Sequence, residues 1–311
     1  MRAANPLWRL LSVVIVLLIG GGLYWATLKV NYEWRWERVP EYLLITGGAE
    51  VAAPFDGTVA VSGKQISITP LLGGPAQAIA DIDVVQVSDG EIVFAGNVVG
   101  KKAGVTPGPL LLGLWVTLEI SALSLVFALV LGLVAGLGRV AHNPTARDMA
   151  TVYVELIRGT PLLVQMFIVY FFLGTVLDLS GFVAGVAALS VFTGAYVAEI
   201  VRAGIESVAK GQMEAARSLG MGHWQGMRHI VMPQALKRSL PALAGQGINL
   251  IKDSSLVSIM ALTDLTKAGR EVVSSTFSPF EVWFTVALMY LLLTGALSIW
   301  VRRLERKMAH D

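Results

Sequence analysis

The sequence predicts an all-α membrane protein of about six transmembrane helices with a small β-rich extracytoplasmic insertion. The 311 residues are 55% hydrophobic and 15% charged, with a mean hydropathy of +0.66, whereas a soluble domain usually has about 25% charged residues. Six apolar runs are long enough to be spans. Between Val30 and Gly108 the apolar residues instead alternate with polar ones, as they do in strands.

The first apolar run is Leu10–Leu28, which as a helix reaches roughly 28 Å and is long enough to cross a membrane. Arg2 and Arg9 precede it, so a cleaved signal peptide is the alternative. The run is longer than the apolar part of a usual signal peptide, and no A-x-A-like cleavage site follows it. We therefore predict that residues 1–29 form an uncleaved transmembrane anchor.

Residues 30–108 contain nine acidic and five basic residues, while the rest of the chain is basic. Asp89-Gly90, between "VVQV" and "EIVF", indicates a two-residue hairpin, and Ser62-Gly63 indicates a second. The apolar alternation is seen at Val59 and Val61, Ile66 and Ile68, Ile82 and Val84, and Ile92 and Phe94. These features predict a small β-rich domain that ends in the linker "KKAGVTPGP".

Five further apolar runs predict the remaining spans: Leu110–Leu137, Leu162–Leu177, Gly181–Val201, Leu240–Leu262 and Phe280–Val301. Most Lys and Arg residues near these runs fall on one side of a six-span arrangement. Because basic flanks stay in the cytoplasm, both termini are predicted to be cytoplasmic and residues 30–108 to lie outside. Lys267 and Arg270, in one outer loop, run against this rule.

Small residues recur at four-residue spacing inside the predicted spans. Such residues let helix backbones approach closely in a membrane. They fit either a dimer face or packing within one chain. The examples are Gly132 and Gly136, Gly181 and Gly185, and Gly194 and Ala198.

The composition and motifs do not favour an enzyme. The absence of cysteine excludes disulfides, thiol catalysis and Cys-ligated metals, and no phosphate-binding G-x-x-x-x-G-K-[ST] occurs. The four histidines make no metal-binding pattern, so His223 and His229 are interpreted as solvated or interfacial residues. The net charge of +2 gives no case for a nucleic-acid partner.

A polar stretch, "EAARSLGMGHWQGMRHIVMP" at Glu214–Pro233, separates the fourth and fifth predicted spans. We interpret it as two short helices. Gly220 would end the first with a left-handed cap, and Pro233 would stop the second. Ala215, Ala216 and Leu219 form a small apolar patch. The elbow suits docking into a cleft of another protein, and an amphipathic helix at the membrane surface is the alternative.

These residues carry a resemblance to a known family. Glu214-Ala215-Ala216, three residues, Gly220, nine residues, Ile230, one residue and Met232-Pro233 resemble the EAA loop of binding-protein-dependent ABC importer permeases, with Met232 where Leu is usual. Three more stretches are similar to the polar amino acid uptake permeases: "ELIRGTPLLVQ" at 155–165, "GAYVAEIVRAGIESVAKGQ" at 194–212 and "LIKDSSLVSI" at 250–259. The resemblance runs from about Gly108 to the C-terminus.

The resemblance implies a type I ABC importer permease fold for residues 109–311, with a cytoplasmic coupling loop at 206–240. It implies a transporter subunit of the bacterial inner membrane and no catalytic residues. A separate ATPase would bind ATP and Mg. The other implied partners are a second permease subunit, identical or related, membrane lipid, and a periplasmic or lipid-anchored amino-acid-binding protein. The implied coupling residues are Glu214, Ala215, Ala216, Gly220, Ile230 and Pro233.

Charged and polar residues inside spans are costly and point to function. Glu119 lies in the second span, and Asn249, Lys252 and Asp253 lie in the fifth. They fit a polar path for the ammonium and carboxylate of a zwitterion. The alternative is a structural Lys252–Asp253 pair that caps a helix broken after Pro241, Gly245 and Gly247.

Two charge pairs at i, i+3 spacing are predicted to be structural. They are Glu199 with Arg202 and Glu155 with Arg158. No residue in either pair is assigned to transport.

Two other functions remain as alternatives to an importer permease. An ion-coupled secondary transporter needs no docking elbow and should show internal symmetry between its halves, which is not visible. A receptor with an outer sensor domain would normally have one or two spans and a long cytoplasmic output region.

Overall fold

The computed structural model describes residues 6–29, 31–46, 49–79, 82–102 and 104–310. Arg2, part of the basic flank considered above, lies outside them. Short helical turns of 3-10 or π type follow several helices. The helices are α1 Pro6–Lys29, α2 Val39–Leu43, α3 Pro109–Arg139, α4 Pro144–Arg158, α5 Leu162–Phe167, α6 Gly181–Glu206, α7 Lys210–Ser218, α8 His223–Gly226, α9 Met232–Asp253, α10 Leu265–Thr276 and α11 Pro279–His310.

Between α2 and α3 the chain forms antiparallel strands in three small sheets, ordered β1-β9, β2-β8-β6 and β5-β4-β3-β7. Ile66, Ile68, Ile82, Val59 and Val99 form most of the apolar core that the two larger sheets share. The strands are β1 Leu44–Thr46, β2 Ala49–Ala52, β3 Gly57–Ser62, β4 Gln65–Pro70, β5 Gln77–Ile79, β6 Val84–Val85, β7 Ile92–Val93, β8 Val98–Lys102 and β9 Val105–Pro107.

One predicted hairpin is confirmed and the other is wrong. Ser62 pairs with Gln65 across a two-residue loop that joins β3 to β4. The turn at Asp89-Gly90 does reverse the chain, with Gly90 at φ +80°. Its flanking strands do not pair with each other, because β6 pairs with β8 and β7 pairs with β3. A turn sequence makes the chain reverse direction, but it does not determine which strands the two flanking strands pair with.

At β7 the apolar residues Ile92 and Phe94 share one face, as their alternation indicates, but that face is exposed. Val93 is buried there, whereas Ile92 and Phe94 on either side are exposed. Val84 is likewise exposed beside buried Ile82. These strands are only two residues long, so a short segment can present either face to the core.

The prediction of six spans is not confirmed. Within the described residues, three helices are long and apolar enough to cross a membrane, at Pro109–Arg139, Gly181–Glu206 and Pro279–Arg303. The bent pair Pro144–Arg158 and Leu162–Gly174 would make a fourth. The predicted span Leu240–Leu262 falls short because it contains Asn249, Lys252 and Asp253 and leaves the α-helical conformation at Ser254.

The chain bends by 104° between α4 and α5, at Gly159-Thr160-Pro161. The side chain of Gln165 stabilises the bend. Its Nε2 donates to the carbonyl oxygen of Ile157 at 2.7 Å and to the hydroxyl of Thr160 at 2.7 Å. The buried amide of Gln165 therefore satisfies backbone carbonyl groups that the bend leaves without a helical partner.

The centre of the bundle is the contact between α3 and α6. A Cβ on Gly132 would lie 2.4 Å from the Val197 side chain, and one on Gly136 would lie 2.8 Å from the carbonyl oxygen of Ala198. Gly185 faces Ile120 in the same way, at 3.0 Å. These small residues pack within one chain, which decides between the two alternatives for these positions.

Two sets of contacts hold the residues that precede α3 against the helical bundle. Tyr42 of α2 packs with Leu110 and Leu265, and the backbone amide of Gly108 donates to the carbonyl oxygen of Leu43 at 2.7 Å. The second set involves Glu281 in the first turn of α11. Its carboxylate accepts hydrogen bonds from the Tyr32 hydroxyl and from the backbone amide of Arg35.

Candidate functional site

The elbow between α6 and α9 begins with a helix that ends as predicted. Gly220 adopts φ +78° after α7. Its amide donates to the carbonyl oxygen of Arg217 at 2.9 Å, and the amide of Met221 donates to that of Ala216 at 3.0 Å. This pair of bonds is a Schellman ending, which satisfies carbonyls at the helix end and favours glycine at the left-handed position.

The prediction that Ala216 belongs to an outward-facing patch is wrong. Ala216 is buried, and its Cβ would lie 3.4 Å from a Cβ on Gly226 of α8. The second short helix folds back on the first, and this contact is possible because both residues are small. The outward edge of the elbow instead consists of Glu214, Ala215, Leu219 and Trp224, all exposed.

The prediction that Pro233 stops the second helix is also wrong. A π-helical turn, Met227–Val231, follows α8, and α9 begins directly after it at Met232. Pro233 lies in the first turn of α9, where a helix needs no hydrogen bond from the residue's nitrogen. Ile230 is half-buried in the π turn, beside buried Val231.

Apolar and polar contacts join the elbow to the bundle. Val231 packs with Val201 and Ile205 of α6. The side chain of Gln234 spans the elbow, since its Nε2 donates to Oε1 of Gln212 at 3.2 Å and to the carbonyl oxygen of Ile230 at 3.0 Å. Movement of the elbow would therefore be transmitted to α6 and α9.

The ends of α3, α4 and α6 meet at a charge cluster centred on Glu199. Its carboxylate lies 2.5 Å from both Arg139 and Arg202 and 3.9 Å from Arg158. Arg202 also bonds Glu206 at 2.5 Å. The predicted pairing of Glu199 with Arg202 is present. Arg158 was paired with Glu155 in the sequence interpretation, but in the structure it lies near Glu199.

The predicted path residues lie on the surface of the single chain. Glu119 in α3 and Asn249 and Lys252 in α9 are exposed, and Asp253 is half-buried. Across the described ranges, Lys252 makes no ion pair with Asp253 or with Glu119. The helix is not broken at Pro241, because α9 is continuous from Met232 to Asp253. Lys252 and Asp253 form its last turn, before the 3-10 segment Ser254–Met260.

Two buried carboxylates were missed by sequence reasoning. Glu281 was hidden because its partners are 249 and 246 residues away in the chain. Asp264 caps α10 by accepting from the amides of Thr266 and Lys267, and burial raises the pKa of its carboxyl. An aspartate just before a helix is a sequence signal that could have identified this cap.

Two of the histidines contact each other. The rings of His142 and His223 lie 4.6 Å apart, and His229 contacts the carbonyl oxygen of Gln225 at 3.0 Å. Where the chain is described, no three His, Asp or Glu side chains are grouped as metal ligands.

Comparisons with known proteins agree on the region after the β-rich segment. Residues 128–310 match the family described as "Binding-protein-dependent transport system inner membrane component". The glutamine transport system permease protein GlnP of Escherichia coli (strain K12) is 42% identical over 204 residues, which are 64% of this chain and 93% of that protein. The probable glutamine ABC transporter permease protein GlnM of Bacillus subtilis (strain 168) is 45% identical over 197 residues, 63% and 91% of the two chains.

Solved structures show the same fold. A crystal structure of an amino acid ABC transporter with histidines superposes with a TM-score of 0.60 at 38% identity, covering 64% of this chain and 94% of that chain. An inward-facing structure of the MetNI methionine ABC transporter is alike in fold, with a TM-score of 0.58 at 22% identity and coverage of 64% and 96%.

Proposed function

Because this chain belongs to the family of binding-protein-dependent transport system inner membrane components, we propose that it is the permease subunit of an ATP-driven amino-acid importer. The observation that carries the proposal is the exposed edge of the elbow, at Glu214, Ala215, Leu219 and Trp224. An exposed Trp and Leu on a polar segment are suited to burial against another protein. We propose that this partner is a cytoplasmic ATPase, which binds ATP and Mg.

The substrate is proposed to be a polar amino acid, delivered from outside by a binding protein that is periplasmic or lipid-anchored. Support comes from relatives named for glutamine transport. Glu119, Asn249 and Lys252 are exposed on the single chain, so they are free to line a path completed by a second permease subunit. Asp253 is proposed to support that path from the end of α9.

The elbow is proposed to transmit the closing of the ATPases to the bundle. Val231 and Gln234 connect it to α6 and α9, which carries Asn249 and Lys252. A tilt of α7 and α8 would therefore move the helix that carries the proposed path. In this arrangement both termini are cytoplasmic and the β-rich segment is an accessory element outside the inner membrane.

Reconstitution tests the proposal. The chain is co-purified with candidate ATPases and placed in vesicles, and ATP hydrolysis is measured with candidate binding proteins and amino acids. We expect an ATPase to co-purify and its rate to rise when a binding protein and its amino acid are both present. Uptake that follows an ion gradient without ATP would indicate a secondary transporter instead, and a ligand response without uptake would indicate a receptor.

A further inference from the structure

A second polar site lies beside the elbow. A cleft of about 940 Å³ separates α7 and α8 from the ends of α3 and α4. Apolar side chains such as Met213 and Val231 form part of its wall. Its titratable lining residues are Arg139, His142, Arg147, Glu206, Lys210, Glu214, Arg217 and His223.

The positive charges of this cleft exceed its negative charges once existing ion pairs are set aside. Arg139 is bound by Glu199, and Glu206 is bound by Arg202. The carboxylate nearest to Arg147 belongs to its exposed neighbour Asp148, at 3.9 Å. Lys210 and Arg217 make no ion pair among the described residues. Lys210 and Arg217 are therefore cations without an ion pair, and Arg147 has only the 3.9 Å contact with Asp148, while Glu214 is the single lining carboxylate that has no ion pair among the described residues.

The helix that carries Arg147 also has an exposed apolar face. Met149, Val152 and Leu156 are 70%, 64% and 64% exposed and lie at helical spacing on α4. In a membrane protein such a face meets lipid chains, so the cation of Arg147 lies close to the depth of the lipid headgroups. Clusters of Lys and Arg next to a membrane attract anionic headgroups.

We propose that this cleft binds a phosphate-bearing anion, supplied by the headgroup of an anionic phospholipid or by free phosphate. The proposal rests on the proposed function for placing the cleft at the cytoplasmic face. Arg147 of α4 and Lys210 of α7, which both line the cleft, would share the anion. The contact of His142 with His223 already joins the loop after α3 to α8, so a bound anion would hold the elbow against the bundle.

The test measures anion binding to the permease–ATPase complex, independently of uptake. Lipid-stripped complex is titrated with phosphatidylglycerol, with phosphatidylcholine or with inorganic phosphate, and bound molecules are counted by native mass spectrometry. We expect phosphatidylglycerol or phosphate to bind. The double variant Arg147→Gln/Lys210→Gln should weaken that binding by about fivefold for each charge removed.

Matched variants make the result specific. Arg302→Gln/Arg303→Gln removes two exposed cations from the end of α11, outside the cleft, and should leave the binding unchanged. Arg147→Lys/Lys210→Arg keeps both charges and should restore binding. Binding of phosphatidylglycerol alone identifies a lipid site, and competition by inorganic phosphate identifies a free-anion site.

The proposal is overturned if neither anion binds more tightly than phosphatidylcholine, or if both double Gln variants reduce binding equally. Thermal unfolding of each complex shows that the variants are folded. A complex that binds the anion normally yet performs no ATP-driven uptake would count against the proposed function but not against anion binding in the cleft.

Discussion

Gly226 and Ala216 form the contact that folds the elbow back on itself. A Cβ at Gly226 would lie 3.4 Å from the Cβ of Ala216 and 2.7 Å from the Sδ of Met213. Met213 is flexible and can move, but a branched side chain also needs space on the Ala216 side. The relative position of α7 and α8 therefore depends on the absence of a side chain at residue 226.

Gly226→Val should separate α7 from α8 without unfolding the bundle. We expect normal membrane insertion, weaker co-purification of the ATPase and a several-fold loss of ATP-driven uptake. Gly211→Ala is the control, because a Cβ there meets nothing within 4 Å. Equal ATPase binding by the Gly226→Val and Gly211→Ala proteins would show that the α7–α8 contact does not matter for docking.

Gly220→Val should strain the left-handed residue that ends α7. Alanine there costs about 1 kcal/mol and a β-branched residue costs more. This is too little to unfold the bundle but enough to change the direction of the elbow. We expect intact insertion with reduced ATPase binding and uptake. Because a Cβ at Gly220 meets no neighbour, normal uptake by this variant would mean that the backbone conformation is not needed.

Glu214→Lys reverses the charge at the exposed edge of the elbow. Loss of an interfacial charge pair typically costs about 2–5 kcal/mol of binding. We expect the variant to insert into the membrane normally. The ATPase should no longer co-purify with it, and ATP-driven uptake should be absent. Arg228→Glu, an exposed charge reversal in the π turn, serves as the comparison. If Glu214→Lys binds the ATPase as the native protein does, Glu214 is not a docking residue.

Lys252→Met removes the charge at the end of α9 and keeps most of the side-chain length. Lys252 is exposed and makes no ion pair among the residues described, so the variant should fold and assemble normally. A path role predicts a changed KM or maximal rate of uptake. Unchanged kinetics would exclude Lys252 from the path, and poor folding that a change at Asp253 corrects would favour the structural pair.

Tyr32→Phe removes one of the hydrogen-bond donors to the buried carboxylate of Glu281. A buried acceptor that loses its partner costs about 1–3 kcal/mol, so the melting temperature of the detergent-solubilised protein should fall. Tyr24→Phe is the control, because Tyr24 is an exposed member of the same aromatic group. Equal melting temperatures for the two variants would show that the Tyr32 bond adds no stability.

The difference between native and Tyr32→Phe proteins should not depend on pH between about 6 and 10. Burial and the hydrogen bond to Glu281 raise the pKa of Tyr32 to about 12. The stability from a group with a raised pKa is fully present below its ordinary value, which is about 10 for tyrosine. It is lost as the pH rises through 12. A difference that disappears between pH 6 and 9 would contradict this assignment.

Replacing residues 47–104 by Asn-Gly should leave a working permease. Thr46 and Val105 are paired opposite each other, and Asn-Gly makes a two-residue hairpin between such residues. We expect the shortened protein to insert, to bind the ATPase and to support uptake when the binding protein is in excess. A shortened protein that assembles but does not transport would show that the β-rich segment is required for transport.

Local rules predicted the features that neighbouring residues decide. Gly220 ends its helix because glycine suits a left-handed residue. Ala216 was misplaced because its burial depends on where α8 folds. Pro233 was misread because the same residue can stop one helix or begin the next.

Features that depend on distant partners were not predictable from the pattern. The turn at Asp89-Gly90 has a strong hairpin sequence, yet its flanking strands pair elsewhere because the sheets are completed by residues from both ends of the segment. The role of Glu281 needs Tyr32 and Arg35 beside it. One apolar run, Leu240–Leu262, contains enough polar side chains to fall below the hydropathy of a lipid-facing span.

Because β1 pairs with β9, the chain enters and leaves the β-rich segment at adjacent positions. Leu44 faces Pro107 and Thr46 faces Val105, so the two ends of everything between them stay side by side. A foreign domain whose own termini are adjacent, such as a fluorescent reporter, could be inserted between β1 and β9 without displacing α2 or α3. The permease therefore offers a position between β1 and β9 at which a label can be inserted.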